Sequence, residues 1–193
     1  MARKKSFDEI DVLHKALQLF WRKGYNATSI QDLVDELGIN RASLYDTWGD
    51  KHNLYVAALK LYRQSTSSRL LNDIRSDMPA RQVIRSLLER IVNDVILDKE
   101  KKGCFLVNAT TELANCDMDI HQMVDENRNT IIEVLAEIIK EGQEKGEFRS
   151  QKSPQALARF IFNSISGLRV VGKGEVSLDE MKEVVDITLS ALD

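Results

Sequence analysis

The sequence contains little that breaks a helix and very little cysteine: its 193 residues include two prolines, nine glycines and two cysteines. So few prolines allow long uninterrupted helices, and Cys104 and Cys116 alone cannot form the disulfide framework of a small secreted protein. No apolar run approaches the roughly 20 residues of a membrane-spanning helix. The basic start MARKK is not followed by a hydrophobic signal segment, so the chain is expected to be cytoplasmic, without a membrane partner.

An excess of positive charge is also missing, since the formal net charge is −3. The first 51 residues contain eight Lys and Arg and eight Asp and Glu, so this segment can bind nucleic acid only through locally placed cations and helix ends. The sequence lacks a glycine-rich phosphate loop, a nucleophile elbow and a His-Glu metal helix. Neither an enzyme nor a cofactor is therefore predicted.

Apolar residues recur at three- and four-residue spacing along nearly the whole chain, which predicts an all-α protein of about nine helices. Three short helices are expected in a head (residues 1–50) and the longer ones in a larger body (residues 51–193). The expected helix starts are capping signals: Ser6 with Glu9, Thr28 with Gln31, Asn40, Asp50, Pro79 in a first turn, Ser153 before Pro154, and Ser177 with Glu180.

The stretch from residue 28 to residue 51, TSIQDLVDELGINRASLYDTWGDK, predicts a helix-turn-helix. Gly38 stands where a left-handed residue is needed to turn the chain sharply, and Ile39 and Leu44 stand where apolar residues would fix the angle between the two helices. The second helix then presents short or polar groups that could reach base edges: Arg41, Ser43, Tyr45, Asp46 and Thr47. The pattern alone is equally typical of two packed helices that never touch DNA.

The segment GYNATSIQDLVDELGINRASLYDTWGDKHNLY resembles the signature of TetR/AcrR transcriptional regulators. It has the Gly-Tyr entry, the threonine at the second helix, the Leu-Tyr pair in the recognition helix, and an aromatic residue followed by a lysine that opens the fourth helix. Trp48 stands where the family usually has phenylalanine, and Asp46 suits phosphate poorly. The resemblance implies a regulator that contacts palindromic double-stranded DNA through Thr28, Arg41, Ser43, Tyr45, Thr47 and Lys51.

Three of these DNA-contacting residues have further interpretations. Thr28 is expected to cap its helix and also to offer its hydroxyl or amide to a phosphate. A lysine at a helix start is unfavourable for the helix dipole, so Lys51 indicates a nearby phosphate or, alternatively, a solvated lysine. Tyr45 is expected to point partly outward, because Trp48 already fills the inner face.

Polar residues recur on the predicted sixth helix, where they indicate either an unidentified small-molecule ligand or buried groups satisfied by the backbone. The expected ligand is largely apolar, and the candidate contacts are Phe105, Asn108, Thr111 and Glu112. Cys104 is interpreted as a small buried hydrophobe, with a redox thiol as the weaker alternative. No metal is predicted, because the spacing of the loop residues matches no zinc pattern: Cys116, Asp117, Asp119 and His121.

The last two helices have more apolar surface than one body needs, and the family resemblance implies that they form a four-helix bundle across a two-fold axis of a homodimer. The expected interface residues are Phe160, Ser164, Leu168, Val184, Thr188 and Leu192. The favoured function is a repressor released from its operator by the ligand. The alternatives are a DNA-bound structural or cell-cycle protein without an inducer, and a helical interaction module that does not bind DNA.

Overall fold

The computed structural model describes residues 7–73 and 78–193, without the side chains of residues 67–73. Within those ranges the chain forms nine α-helices and no strand, which confirms the all-α prediction. The helices are α1 Glu9–Lys23, α2 Ile30–Leu37, α3 Arg41–Trp48, α4 Lys51–Asp73, α5 Ala80–Leu97, α6 Phe105–Glu112, α7 Met118–Glu144, α8 Pro154–Val171 and α9 Leu178–Ser190. None of the described helices is both long and apolar enough to cross a membrane.

Most of the predicted helix starts are correct. Asn40 accepts a hydrogen bond from the Ser43 amide (2.8 Å) at the start of α3, and Asp50 accepts one from the Asn53 amide (2.7 Å) in the first turn of α4. Ser153 caps α8, with proline in the first turn, and Ser177 with Glu180 forms a complete capping box on α9. These side chains satisfy amides that the helix itself leaves without partners.

Three predicted starts are wrong by one or two residues. Asp8, rather than Ser6, caps α1 and accepts from the Ile10 amide at 2.8 Å; Ser6 itself lies outside the described residues. Pro79 is the N-cap of α5 rather than a first-turn residue. On α2 the capping box consists of Ser29 and Asp32, because Thr28 is fully buried and its hydroxyl donates back to the carbonyl of residue 24.

Two groups of buried side chains form the interior. The head-side core joins α1, α2, α3 and the first half of α4 to α6 and the start of α7. The body-side core joins α5, the second half of α7, α8 and α9. The hydrophobic interior therefore does not divide at residue 50, because α4 and α6 pack with the head.

Aromatic rings run through the head-side core in edge-to-face contact, an arrangement that the ring quadrupole favours. The Tyr55 ring lies 5.1 Å from that of Phe20 and 5.3 Å from that of Phe105, and the Tyr62 ring lies 4.9 Å from that of Trp21. The rings belong to α1, α4 and α6, so they connect the helix that leads into the DNA-binding motif with the helix predicted to bind ligand.

The body-side core is mainly aliphatic and is packed closely enough to require a glycine. A Cβ atom added at Gly142 on α7 would lie 2.3 Å from the Phe148 ring and 2.9 Å from the Ala80 side chain. Real Cβ atoms do not approach other atoms so closely, so any larger residue would push the α7–α8 connection away from α5.

Candidate DNA interface and ligand cavity

The turn between α2 and α3 has the predicted helix-turn-helix geometry. Gly38 adopts a left-handed conformation (φ 67°, ψ 25°), and its amide donates to the Val34 carbonyl at 3.1 Å. A Cβ atom there would meet nothing within 4 Å, so the backbone conformation alone explains the glycine. Leu33 on α2 and Leu44 on α3 are fully buried, and they fix α3 against the rest of the head.

One face of α3 is open to solvent. Arg41 and Asp46 are exposed, and Tyr45 is 38% exposed, which confirms its predicted outward orientation. The Arg41 guanidinium carbon lies 5.9 Å from the centre of the Tyr45 ring, so the two side chains form one projecting group. Ser43 and Thr47 are half-buried, and the Thr47 hydroxyl donates to the Ser43 carbonyl at 2.8 Å.

Trp48 packs inward at the end of α3, as expected for a tryptophan that stands where the family usually has phenylalanine. It is half-buried, and its ring stacks on that of Phe7 with centres 6.3 Å apart. Because Trp48 packs inward, the outward side chains of α3 stay available for contact with DNA.

Thr28 and Lys51 are used inside the head. The Thr28 hydroxyl donates to the Gly24 carbonyl at 2.6 Å. The Lys51 ammonium donates to the Tyr25 and Thr28 carbonyls, both at 2.8 Å, and lies 4.1 Å from the centre of the Tyr25 ring. Lys51 therefore holds the turn between α1 and α2 and does not extend freely into solvent.

Glu112, predicted to touch ligand, binds the same turn from the opposite side. Its carboxylate accepts from the Tyr25 amide at 3.1 Å and from the Asn26 amide at 2.7 Å. Burial lowers the pKa of Lys51, and the Glu112 charge works against that shift. Burial raises the pKa of Tyr25, and the charges of Asp50 and Asp117 act in the same direction. The Glu112 carboxylate on α6 therefore links the body to the turn between α1 and α2.

The other end of α6 is also attached to the head. The Trp21 indole donates to the Gly103 carbonyl at 3.1 Å, and the Lys102 ammonium lies 4.9 Å from the Trp21 ring centre. Because both ends of α6 bind α1 or the turn after it, a movement of α6 would be transmitted directly to the DNA-binding head.

The remaining predicted ligand residues do not line the cavity of about 670 Å³ that is described below. Phe105 is buried among the aromatic rings. The Asn108 amide donates to the Lys102 carbonyl at 2.8 Å and its oxygen accepts from Lys173 at 3.1 Å. Thr111 is exposed and its hydroxyl donates to backbone carbonyls of its own helix. For Asn108 and Glu112, satisfaction by protein groups matches the alternative that the sequence left open.

A cavity of about 670 Å³ lies between the head and the body. Apolar and polar side chains of α1, α4 and α5 line it, together with charged residues of the segment that follows α5 and Arg169 of α8. The lining residues are His14, Leu17, Gln18, Trp21, Leu61, Tyr62, Ser65, Thr66, Arg90, Ile91, Asp94, Val95, Leu97, Asp98, Lys99, Glu100, Lys102, Gly103, Cys104 and Arg169. Sequence patterns missed this site because its residues come from four separate segments of the chain.

Three side chains meet at the buried Cys104 thiol. The Arg169 guanidinium donates to the Cys104 sulfur at 3.3 Å, and the Tyr62 hydroxyl lies 3.6 Å from the same atom. Burial raises the pKa of Tyr62, and the interaction with the neighbouring Cys104 sulfur adds to that shift. Burial opposes ionisation of Arg169, yet its pKa is held above the ordinary value by electrostatic interaction with its neighbours Cys104, Tyr62 and Asp94.

The loop residues considered as metal ligands are arranged differently from their order in the sequence. His52 of α4 lies 2.7 Å from Asp117, and the two residues with Asp119 place ligand atoms within 4.8 Å of one another. Asp117 also caps α7 by accepting from the Ile120 amide at 3.1 Å. A hydrogen bond between His52 and Asp117 plus the helix cap accounts for the contacts of Asp117, and Cys116 does not belong to the group.

The expected dimer residues divide into an outer and an inner set. Phe160 and Val184 are 44% and 42% exposed, and Ser164 is half-buried. Leu168, Thr188 and Leu192 are buried within the chain itself and so do not reach the surface. The exposed apolar residues on these helices that sequence reasoning missed are Val170, Val171, Leu178 and Ile187.

Comparison with known proteins identifies the family. Residues 12–58 match the family model for bacterial regulatory proteins of the tetR family, and residues 72–185 match the tetracyclin repressor-like C-terminal domain. The chain is 29% identical over 194 residues to the HTH-type transcriptional regulator YezE of Bacillus subtilis (strain 168), covering 100% of both. It is 26% identical over 188 residues to the HTH-type transcriptional repressor ComR of Escherichia coli (strain K12), covering 97% of this chain and 90% of ComR.

The fold is shared with solved regulators. A cysteine mutant of the TetR family regulator CifR, in complex with 26-base-pair operator DNA, superposes with a TM-score of 0.86 at 25% identity and covers 100% of both chains. A TetR family regulator from Agrobacterium tumefaciens gives a TM-score of 0.85 at 17% identity over 95% of this chain and 96% of its own. The protein is therefore a member of the TetR family, a DNA-binding transcriptional regulator with an N-terminal helix-turn-helix and an all-α body.

Proposed function

We propose that the protein is a dimeric repressor that binds a palindromic operator through α3 and leaves it when a small molecule enters the cavity. The observation that carries the DNA-binding part is the projecting pair Arg41 and Tyr45, held on a helix whose inner side is fixed by the buried Leu44. An arginine there can bind a guanine edge in the major groove, and a tyrosine can contact a phosphate or a thymine methyl group.

The other four predicted DNA-contacting residues contribute less directly in this proposal. Ser43 and Thr47 lie at the edge of the exposed face, where they would make secondary contacts. Thr28 and Lys51 act indirectly, because their polar atoms hold the turn that precedes α2. Loss of either would change the orientation of the motif more than the number of its DNA contacts.

The proposed dimer contact is the exposed apolar surface of α8 and α9. It contains Phe160, Val171, Val184 and Ile187, with Gly167 between them. A Cβ atom at Gly167 would meet nothing within 4 Å in the single chain, so there is room for a partner helix to approach closely. A two-fold pair would place the recognition helices one DNA repeat apart, roughly 34–36 Å.

The proposed ligand site is the cavity of about 670 Å³, within the range of small-molecule pockets, about 300–1,000 Å³. Apolar and charged side chains both line it, so the proposed ligand has an apolar body and a polar group, which revises the largely apolar molecule expected from sequence. A ligand there touches both α1 and α4. By separating them it would favour a state with a different spacing of recognition helices, and a preference of a few kcal/mol is sufficient for release.

The DNA-binding proposal is tested by fluorescence anisotropy with duplexes from the gene's own upstream region and with random duplex. Arg41→Ala is expected to weaken operator binding by about 1–3 kcal/mol, roughly 5- to 150-fold, and to relax base preference at one position. Tyr45→Ala should also weaken it. Lys140→Ala, an exposed change on α7, serves as the matched control. Absence of any binding at low salt would contradict the proposal, since phosphate contacts are strongest there.

The assembly and release proposals have separate tests. Light scattering should give a dimer at micromolar concentration, and a monomer would contradict the palindromic site. A thermal-shift screen of metabolites, repeated with operator present, should find a ligand that weakens operator binding by the same factor by which operator weakens the ligand. A ligand that binds tightly without changing operator affinity would favour a DNA-bound role without an inducer.

A further inference from the structure

Arg169 is a half-buried cation that lines the cavity, with no carboxylate directly beside it. Among the described residues, no Asp or Glu oxygen lies within 4.0 Å of its side-chain nitrogens. Asp94 contributes a nearby negative charge without making an ion pair. A half-buried guanidinium usually has a carboxylate or phosphate partner, because its planar fork matches those groups.

The partner that the protein does supply is a weak one. Arg169 donates one hydrogen bond to the Cys104 sulfur at 3.3 Å, and Tyr62 lies 3.6 Å from the same sulfur. A guanidinium has five N–H donors, whereas a thiol sulfur is a poor acceptor. Most of the hydrogen-bonding capacity of Arg169 is therefore left for a molecule in the cavity.

The charged residues that line the cavity leave a small positive excess. The lining contains four Lys and Arg residues and three Asp and Glu residues. Two of the acids have local partners: Asp98 accepts from the Gly103 amide at 2.8 Å, and Glu100 accepts from Lys102 at 2.7 Å. Because burial raises the pKa of Tyr62, this phenol keeps its proton and can act as a donor.

The rest of the cavity suits an apolar group. Side chains of α1, α4 and α5 line it, among them Leu17, Trp21, Leu61, Ile91 and Val95. Its volume of about 670 Å³ accommodates more than a simple anion. The site therefore combines apolar side chains with a guanidinium that has no carboxylate in direct contact.

We propose that the cavity binds a carboxylic acid, with the carboxylate on Arg169 and Tyr62 and the hydrocarbon part against α1, α4 and α5. This inference rests on the proposed function only in taking the cavity as the ligand site. The carboxylate replaces the Cys104 sulfur as acceptor for the guanidinium, so entry of the acid loosens the start of α6. That start is bound to the head through the Gly103 carbonyl and Trp21.

The test compares each acid with its neutral amide. Isothermal titration calorimetry on the full chain uses octanoate against octanamide, and 3-phenylpropanoate against 3-phenylpropanamide. Each acid is expected to bind at least about tenfold more tightly than its amide, as a charge-assisted bidentate pair requires. Arg169→Gln should abolish this preference, and Arg169→Lys should retain part of it because the charge stays and the fork is lost.

Arg159→Gln is the matched control, since Arg159 lies on the same helix, is exposed and does not line the cavity. The proposal is overturned if neither acid binds at millimolar concentration, if acid and amide bind equally, or if the preference survives in a folded Arg169→Gln variant. If that variant does not fold, the acid-to-amide ratio of the native chain and the Arg169→Lys result decide.

An operator-binding assay with the same compounds separates this inference from the proposed function. Arg169-dependent acid binding that leaves operator affinity unchanged would support the site and contradict ligand-controlled repression. Release of operator by neutral compounds alone would support ligand-controlled repression and contradict the carboxylate site.

Discussion

The head-side core and the body-side core are held together by different kinds of interaction. The head-side core contains edge-to-face aromatic rings together with polar ties such as Glu112 on the Tyr25 and Asn26 amides. The body-side core is mainly aliphatic, and its buried side chains come from α5, α7, α8 and α9. Polar ties depend on direction and distance, so they respond to small displacements, whereas aliphatic packing is non-directional.

This difference indicates that the two cores have different functions. The head-side core connects the cavity with the recognition helix, and its contacts can change in strength when α6 or α4 moves. The body-side core supports the helices whose outer surface is the proposed dimer contact. In a ligand-controlled regulator, the head-side core has to change conformation, whereas the body-side core has to keep the dimer contact in place.

The largest expected effect comes from removing a central ring. Phe20→Ala should lower the free energy of unfolding by about 3–5 kcal/mol, because Phe20 is fully buried and contacts the Tyr55 ring. Leu135→Ala is the matched change in the body-side core and should cost about 2–5 kcal/mol, since Leu135 is also fully buried. Urea unfolding followed by circular dichroism measures both.

Operator binding distinguishes these two variants. Under conditions where both remain folded, Phe20→Ala should reduce operator affinity much more than Leu135→Ala, because only Phe20 supports the head. Equal losses of affinity would show that the two cores do not differ in function.

A smaller effect is expected at the tie between α6 and the head. Glu112→Ala removes the acceptor of two backbone amides and should cost about 1–3 kcal/mol. Amide hydrogen exchange at Tyr25 and Asn26 should become faster, and operator affinity should change. The control is Glu126→Ala, whose exposed carboxylate pairs with Arg63 at 2.9 Å and should contribute less than about 1 kcal/mol. If the two variants behave alike, Glu112 is not the link between body and head.

The smallest effect concerns the two capping boxes, one in each region. The pKa of Asp32 on α2 is lowered, first by Lys23 and then by Ser29, and the pKa of Glu180 on α9 is lowered by Ser177. A carboxylate with a lowered folded-state pKa stabilises the fold above its unfolded pKa, and this contribution declines as the pH falls toward the folded pKa.

Urea unfolding between pH 7 and pH 3 tests this comparison. Asp32→Asn and Glu180→Gln should each be less stable than the native chain at pH 7, and both differences should shrink below about pH 4. The difference should be larger for Asp32, which has an additional lysine partner at 2.6 Å. A difference that stays constant with pH would mean that the charge of the carboxylate is not responsible.

Much of the fold could be predicted because helices are specified by neighbouring residues. The caps at Asn40, Ser153 and Ser177 and the left-handed turn at Gly38 depend on residues at most four positions away, so sequence patterns identify them. Where two candidates for one cap stood side by side, as at Thr28 and Ser29, the outcome depended on which side chain the core buried.

The candidate sites were less predictable because their partners are distant in the chain. Glu112 meets a turn 86 residues away, and Arg169 meets Cys104 across 65 residues. Leu168 and Leu192 have the same apolar character as the exposed Phe160 and Val184, and no local signal says which apolar side of a helix faces its own body.

By itself, the amino-acid sequence determined the helical period, the caps and the helix-turn-helix, because each arises from steric and hydrogen-bonding preferences within a few residues. Only the tertiary structure decided that Lys51 binds the turn before α2, that α6 is bound to the head, and that Arg169 lines the same cavity as residues of α1 and α4. Those outcomes depend on burial and charge pairing between distant segments, which packing of the whole chain brings together.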